Sequence, residues 1–166
     1  MLRRAFVVGI AAAATAGFGV GQEGAPAPHT NFSGRWRMDR DKSDFAGFTA
    51  PDMVVRVIDQ HDPTMNIHTI ETVKGKTTSA DVSYFLDGST ATNMISGREA
   101  TSKAFWDGAA LMVRTYTKDS KGNDMEMLDR YELSNDGQVL TNTSHIANTK
   151  GGVDMKLVSV KEENPR

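Results

Sequence analysis

The chain of 166 residues contains no cysteine. That absence excludes a disulfide framework, thiolate metal sites and a lipid-modified N-terminal cysteine together. A domain without disulfides must rest on its own core, and this length suffices for one core plus a short extension. Sustained helical periodicity is also lacking, although residues 45–53 have room for a helical turn. No dense Lys/Arg cluster follows the first four residues, and 19 basic against 21 acidic residues give a formal net charge of -2, so nucleic acid is not an expected partner. Neither a G-x-S-x-G motif nor a glycine-rich nucleotide loop is present, which leaves hydrolase and nucleotide-dependent chemistry without support. The histidines are scattered: His29 in an expected tether, His61 in a turn, His68 and His145 on separate strands in the outward register. No metal site and no cofactor is implied.

What is present begins with MLRRAFVVGIAAAATAGFGVGQEG. Arg3 and Arg4, an uncharged run over residues 5–20 and then small residues follow the plan of a secretory signal over residues 1–21. The run is shorter than the ~20 residues of a membrane span and holds three glycines, so a retained anchor is the weaker reading. Cleavage after Ala16 or after Gly21 satisfies the small-x-small rule equally, and Arg3-Arg4-Ala5-Phe6 resembles part of a twin-arginine signal. The expected localisation is therefore exported, periplasmic or extracellular, with no stable membrane span after cleavage. Removing residues 1–21 takes two of the 19 basic residues and no acidic one, leaving 17 against 21, a net charge of -4. Residues 22–30, QEGAPAPHT, read as a flexible linker, residues 31–161 as one folded domain and residues 162–166 as a tail. With 39% hydrophobic and 24% charged residues, the bulk of the chain is neither disordered nor polytopic.

From residue 52 onward, turn chemistry recurs at short intervals: His61-Asp62-Pro63-Thr64, Lys74-Gly75, Asp87-Gly88, Ser96-Gly97, Asp107-Gly108, Lys121-Gly122-Asn123, Asn135-Asp136-Gly137 and Lys150-Gly151-Gly152. Asp-Gly supplies the positive φ of tight hairpins, and Asp-Pro favours a type I turn. The segments between are rich in β-branched and aromatic residues and alternate in polarity. With the opening stretch NFSGRWRMDRDKSDF, where Phe32, Trp36 and Met38 alternate with polar residues, about ten strands result. The fold class is all-β, an antiparallel up-and-down meander closing into a barrel of about 8–10 strands, because an open meander would leave two exposed edges.

Hairpin geometry tests which face is inner. A two-residue Asp107-Gly108 turn sets Trp106 opposite Ala109 and Ala104 opposite Leu111. A Ser120-Lys121-Gly122 loop sets Leu111 opposite Tyr131, Val113 opposite Asp129 and Thr115 opposite Met127. An Asp136-Gly137 turn sets Tyr131 opposite Asn142, Asp129 opposite Ser144 and Met127 opposite Ile146. The rival register, pairing Arg114 with Asp129, would turn the apolar sets to opposite faces and is rejected.

The candidate ligand-binding residues on this inner face are Trp106, Leu111, Met127, Asp129, Tyr131 and Asn142. Asp129 is the odd member, read either as the polar handle of a small-molecule pocket or as a structural carboxylate bonded by Asn142 and Ser144. Met125, Met127 and Met155 face inward and serve as core filler or as an adaptable cavity wall. Asp39, Asp41 and Asp44 read as solvated loop carboxylates, and no catalytic residue is assigned.

FSGRWRMDRDKSDF is similar to the Gly-x-Trp opening of the lipocalins and the related intracellular fatty-acid-binding proteins. The stretch 31–161 also resembles small exported bacterial proteins described as lipocalin-like, through the Trp-Asp-Gly and Leu-Ser-x-Asp-Gly turns at 106–108 and 133–137. The resemblance implies a barrel with a calyx for a small hydrophobic ligand, and Gly34 and Trp36 at its closed end. The Thr-Asp-Tyr signature of typical lipocalins is absent, no arginine near the last strand is placed to partner the tryptophan, and there is no room for a two-helix lid. Three functions follow as expectations: an exported non-enzymatic barrel binding a small apolar or amphipathic molecule; an envelope interaction module with a filled core; and an enzyme using the inward carboxylate. A pocket of ~300 Å3 or more lined by Trp106, Leu111, Met127 and Tyr131 would mark the first.

Overall fold

The computed structural model describes residues 29–163. The expected signal segment, residues 22–28 of the linker and residues 164–166 of the tail lie outside the described residues. Ten strands follow one another: β1 (Gly34–Met38), β2 (Met53–His61), β3 (Thr64–Val73), β4 (Lys76–Phe85), β5 (Thr90–Ile95), β6 (Arg98–Asp107), β7 (Ala110–Lys118), β8 (Asp124–Leu133), β9 (Val139–Asn148) and β10 (Gly151–Glu162). They form one antiparallel sheet in the order β4-β3-β2-β1-β10-β9-β8-β7-β6-β5. Each strand pairs with its neighbour in sequence except across β4–β5, and β1 pairs with β10, so the sheet curls into a nearly closed up-and-down barrel. Among the described residues no helix is long and apolar enough to cross a membrane.

The β4–β5 seam is bridged by a side chain. Asn93 Nδ2 donates to the Ser83 carbonyl at 2.9 Å, and Asn93 Oδ1 accepts from the Ser83 N–H at 2.8 Å. One carboxamide thus supplies the donor and acceptor that a neighbouring strand would have offered.

Register follows the inner-face pattern. Leu111 pairs with Tyr131, Val113 with Asp129 and Thr115 with Met127, and Tyr131 pairs with Asn142 and Asp129 with Ser144, as expected. Arg114 stands outside and pairs with Glu126 at 3.2 Å. The β6–β7 hairpin is a correction: Trp106 lies opposite Leu111, Ala104 opposite Val113 and Asp107 opposite Ala110. Gly108 alone takes a positive φ of 62°, so Gly108-Ala109 forms the turn with glycine in its first central position. The pairing moves by two residues and every side chain keeps its face. At the β2–β3 turn the Asp62–Pro63 bond is cis, which differs from the expected type I turn.

One end of the barrel, at the β2–β3, β4–β5, β6–β7 and β8–β9 turns, is solid. Phe32, Trp36, Met65 and Leu111 are wholly buried there, packed with Ile58, Tyr84, Tyr131 and Leu140. The Trp36 indole donates to the Phe32 carbonyl at 2.9 Å, and the Lys161 ammonium sits 5.2 Å from its ring centre, supplying the cation for which no arginine could be assigned. Gly34 has φ of 149°, and a Cβ there would lie 2.8 Å from Lys161 Cε. Residues 29 and 30, read as linker, rest on this end: His29 stacks on Trp106 at 4.3 Å, and Thr30 Oγ1 donates to the Ala109 carbonyl at 2.7 Å. At the other end of the chain Glu162 still belongs to β10 and binds Arg35 and Arg37.

Candidate functional site

The opposite end is the mouth. The β1–β2 connection crosses it, beginning with one 3-10 turn, Arg40–Lys42, in place of helices. Asp44 then exchanges two backbone hydrogen bonds with Lys156 of β10, at 2.7 and 2.8 Å, which fixes the connection against the barrel wall. Beneath it lies a cavity of about 200 Å3. Phe45, Thr49 and Pro51 of the connection cover it, and its walls are Val54 and Arg56 of β2, Thr69 and Glu71 of β3, Asn142 and Ser144 of β9, and Met155 and Leu157 of β10.

Arg56 is the residue around which the site is built. It pairs with Trp36 across β1–β2, and Trp36 faces the core, so the side chain of Arg56 is directed inward. Its Nη1 donates to Asn142 Oδ1 at 3.0 Å, while its Nε is buried without a hydrogen-bond partner. The arginine ion pairs among the described residues involve Arg35, Arg37, Arg40, Arg114 and Arg130, and not Arg56. A guanidinium placed this way has donor capacity left for an acceptor from outside the protein.

The Asn142 amide is oriented by opposite demands at its two ends: carbonyl toward Arg56, and Nδ2 donating to Asp129 Oδ1 at 3.3 Å. Ser144 Oγ donates to the same carboxylate oxygen. Asp129 is thereby fixed as an acceptor in a chain running Arg56–Asn142–Asp129–Ser144, which matches its structural reading. Deeper in the barrel, burial pushes the phenols of Tyr84 and Tyr131 well above their ordinary range, the Asp129 carboxylate adds to this, and the Arg56 cation opposes it. Both phenols stay neutral. The polar chain therefore separates a mixed cavity at the mouth from an apolar core at the closed end.

Of the six candidate residues, Asn142 alone lines the cavity. Leu111 and Tyr131 are core residues, with Trp106 packed against them between His29 and Phe32. Met127 is half-buried two positions from Asp129 on β8, on the same face. The expected pocket lined by Trp106, Leu111, Met127 and Tyr131 is not the cavity found, because Phe32, Trp36 and Met65 fill the closed half. Alternation gives the face of a residue and says nothing of its depth along the barrel axis. Arg56 escaped the sequence reading because VVRVI is apolar on both faces of the strand, so parity leaves it unassigned; Thr69 and Glu71 share the inward parity opposite His68, but nothing in the sequence gives their depth along the barrel. The pairing of Arg56 with inward Trp36 would have found it, but that pairing depends on an irregular connection of 14 residues, 39–52. No cluster of three or more metal-ligating side chains is present among the described residues.

No protein-family model matches the chain, and no curated protein matches it in sequence. Solved structures do match. A secretory abundant heat soluble protein from Ramazzottius varieornatus superposes with a TM-score of 0.57 at 18% identity, covering 78% of this chain and 94% of that one. The zebrafish ileal bile acid-binding protein complexed with cholic acid gives 0.58 at 15% identity, covering 79% and 98%. The Echinococcus granulosus fatty-acid-binding protein 1 gives 0.52 at 12% identity, covering 80% and 98%. At these identities the likeness is one of fold: the ten-stranded barrel of this chain shares the fold of these proteins.

Proposed function

We propose that this is an exported, non-enzymatic binding protein that takes a small amphipathic anion into the mouth of its barrel. The acidic group of the ligand meets Arg56, and its apolar part lies against Phe45, Pro51, Met155 and Leu157. The observation that carries the reading is the inward guanidinium on the wall of a partly apolar cavity, free of any carboxylate partner and with Nε unbonded. The zebrafish bile acid-binding protein and the fatty-acid-binding protein of similar fold support it by their named ligands. At about 200 Å3 the cavity falls below the ~300–1,000 Å3 usual for small-molecule sites. That favours a short ligand, or the head of a longer one whose tail leaves through the mouth.

The test is calorimetric titration of a series of carboxylic acids against alcohols of equal length. The acids are expected to bind at least about tenfold more tightly, a difference of ~1.4 kcal/mol, and Arg56→Met is expected to remove that preference while leaving binding of the alcohols unchanged. Equal affinity for acid and alcohol in both forms would refute the role of Arg56, and silence across the whole series would refute ligand binding itself. The solid closed half favours a second reading, an envelope interaction module with no small-molecule ligand, and the same silence would support it.

A further inference from the structure

The hairpin tips of the barrel are sorted by charge. At the mouth, the four tips carry Lys74 and Lys76, Arg98 with the exposed Glu99 beside it, Lys121 and Lys150; at the closed end they carry Asp62, Asp87, Asp107 and Asp136. None of the five mouth-tip cations is in an ion pair among the described residues, whereas Lys118 and Asp124 just below them neutralise each other at 2.7 Å. The Asp119 carboxylate is turned into its own loop, accepting from the N–H groups of Lys121 and Asn123. The β1–β2 connection adds Arg40 and Lys42 against four aspartates, of which Asp39 is paired with Lys42 and Asp52 with Arg40. At its tip, next to cavity residue Thr49, Phe48 is 59% exposed, lifted by a turn with positive φ at Ala46 and Gly47.

We propose that the mouth end docks on an anionic lipid bilayer, with the hairpin-tip cations among the headgroups and Phe48 entering the boundary between headgroups and acyl chains. Cations spread over four separate tips around one aromatic suit a plane of diffuse negative charge better than a single acidic pocket. Each basic residue held near such a surface strengthens binding about fivefold, and an aromatic at the interface adds to it. At the far end Asp107 is paired with Arg130 and Asp62 with His29, but Asp87 and Asp136 are repelled, so the barrel stands mouth down. This docking does not depend on what occupies the cavity.

The full chain can be floated with vesicles of phosphatidylcholine alone or of phosphatidylcholine mixed with phosphatidylglycerol. Binding is expected to the mixed vesicles only and to weaken as salt is added. The variant Lys74→Glu/Lys121→Glu/Lys150→Glu, altered at exposed turns and checked for its fold by circular dichroism, should bind at least about a hundredfold more weakly, since three attractions are lost and three repulsions added. In the otherwise native chain, Phe48→Trp should give fluorescence that shifts to the blue with mixed vesicles only. Equal binding to both vesicle types, undiminished binding of the triple variant, or an indole at position 48 that stays in water would each overturn the proposal. Capture by soluble polyglutamate without any vesicle binding would overturn it too, and would indicate an acidic protein partner.

Discussion

Gly34 shows how much one residue can decide. Its φ of 149° disfavours any side chain, and an added methyl would press on Lys161 Cε at 2.8 Å, so Gly34→Ala should cost about 1–3 kcal/mol in urea denaturation. Because the Lys161 stem could move aside, Gly34→Ala/Lys161→Ala separates the two causes: a loss that persists belongs to the backbone, and one that disappears to the contact. Asp129 is a different case. Asp129→Ala deprives Asn142 Nδ2 and Ser144 Oγ of their common acceptor, and leaving these partly buried donors unpaired should cost about 1–3 kcal/mol. The sequence made Asp129 legible because it is the one charged residue in the inward register of β7, β8 and β9. Arg56 was not legible, since valines on both sides of it leave no polarity contrast from which to read a face.

At the scale of elements, turns and registers carry the fold. The β7–β8 and β8–β9 pairings could be read from alternation and loop length, whereas the β6–β7 turn slipped by two residues because either Asp107-Gly108 or Gly108-Ala109 can seat the glycine. Several turns use carboxylates as clamps. Asp87 is held below the usual carboxylate range by Ser89, Asp119 by Asn123 and Asp136 by Ser134, while Glu162 at the end of β10 is held there by Arg37. A carboxyl lowered on folding stabilises the fold above its unfolded pKa, and that contribution is lost as pH falls through the folded value. The thermal midpoint should therefore stay level from neutrality down to roughly pH 4.5 and fall below it; a decline beginning above pH 5 would assign the loss elsewhere. The seam gives a second prediction, because Asn93→Ala strips Ser83 of both backbone partners. Amide exchange should accelerate at Ser83 while the β1–β10 amides keep their protection.

For the whole molecule, the decisive fact is that the first strand begins and the last strand ends beside each other at the closed end, where Arg35 faces Glu162. A permuted chain, with residue 163 joined to residue 31 through a short glycine-rich linker and new ends between Lys150 and Gly151, should fold and melt cooperatively, since no ladder is cut. Loss of the cooperative melt would mean that residues 29 and 30, omitted from it, are needed to close the solid end. The barrel as an architecture was legible because its alternation and turn spacing are local. The position of the cavity was not, because it depends on how far the irregular β1–β2 connection reaches over the mouth.

The pairing of the first strand with the last also sets how the molecule yields to force. The N-terminus of β1 and the C-terminus of β10 leave from the same edge, so tension applied to the two ends loads the rungs of that ladder in turn, starting with Arg35–Glu162. The barrel peels open like a zipper and does not shear, and it parts first between β10 and the strand that carries the Gly-x-Trp motif, on the far side from its natural seam.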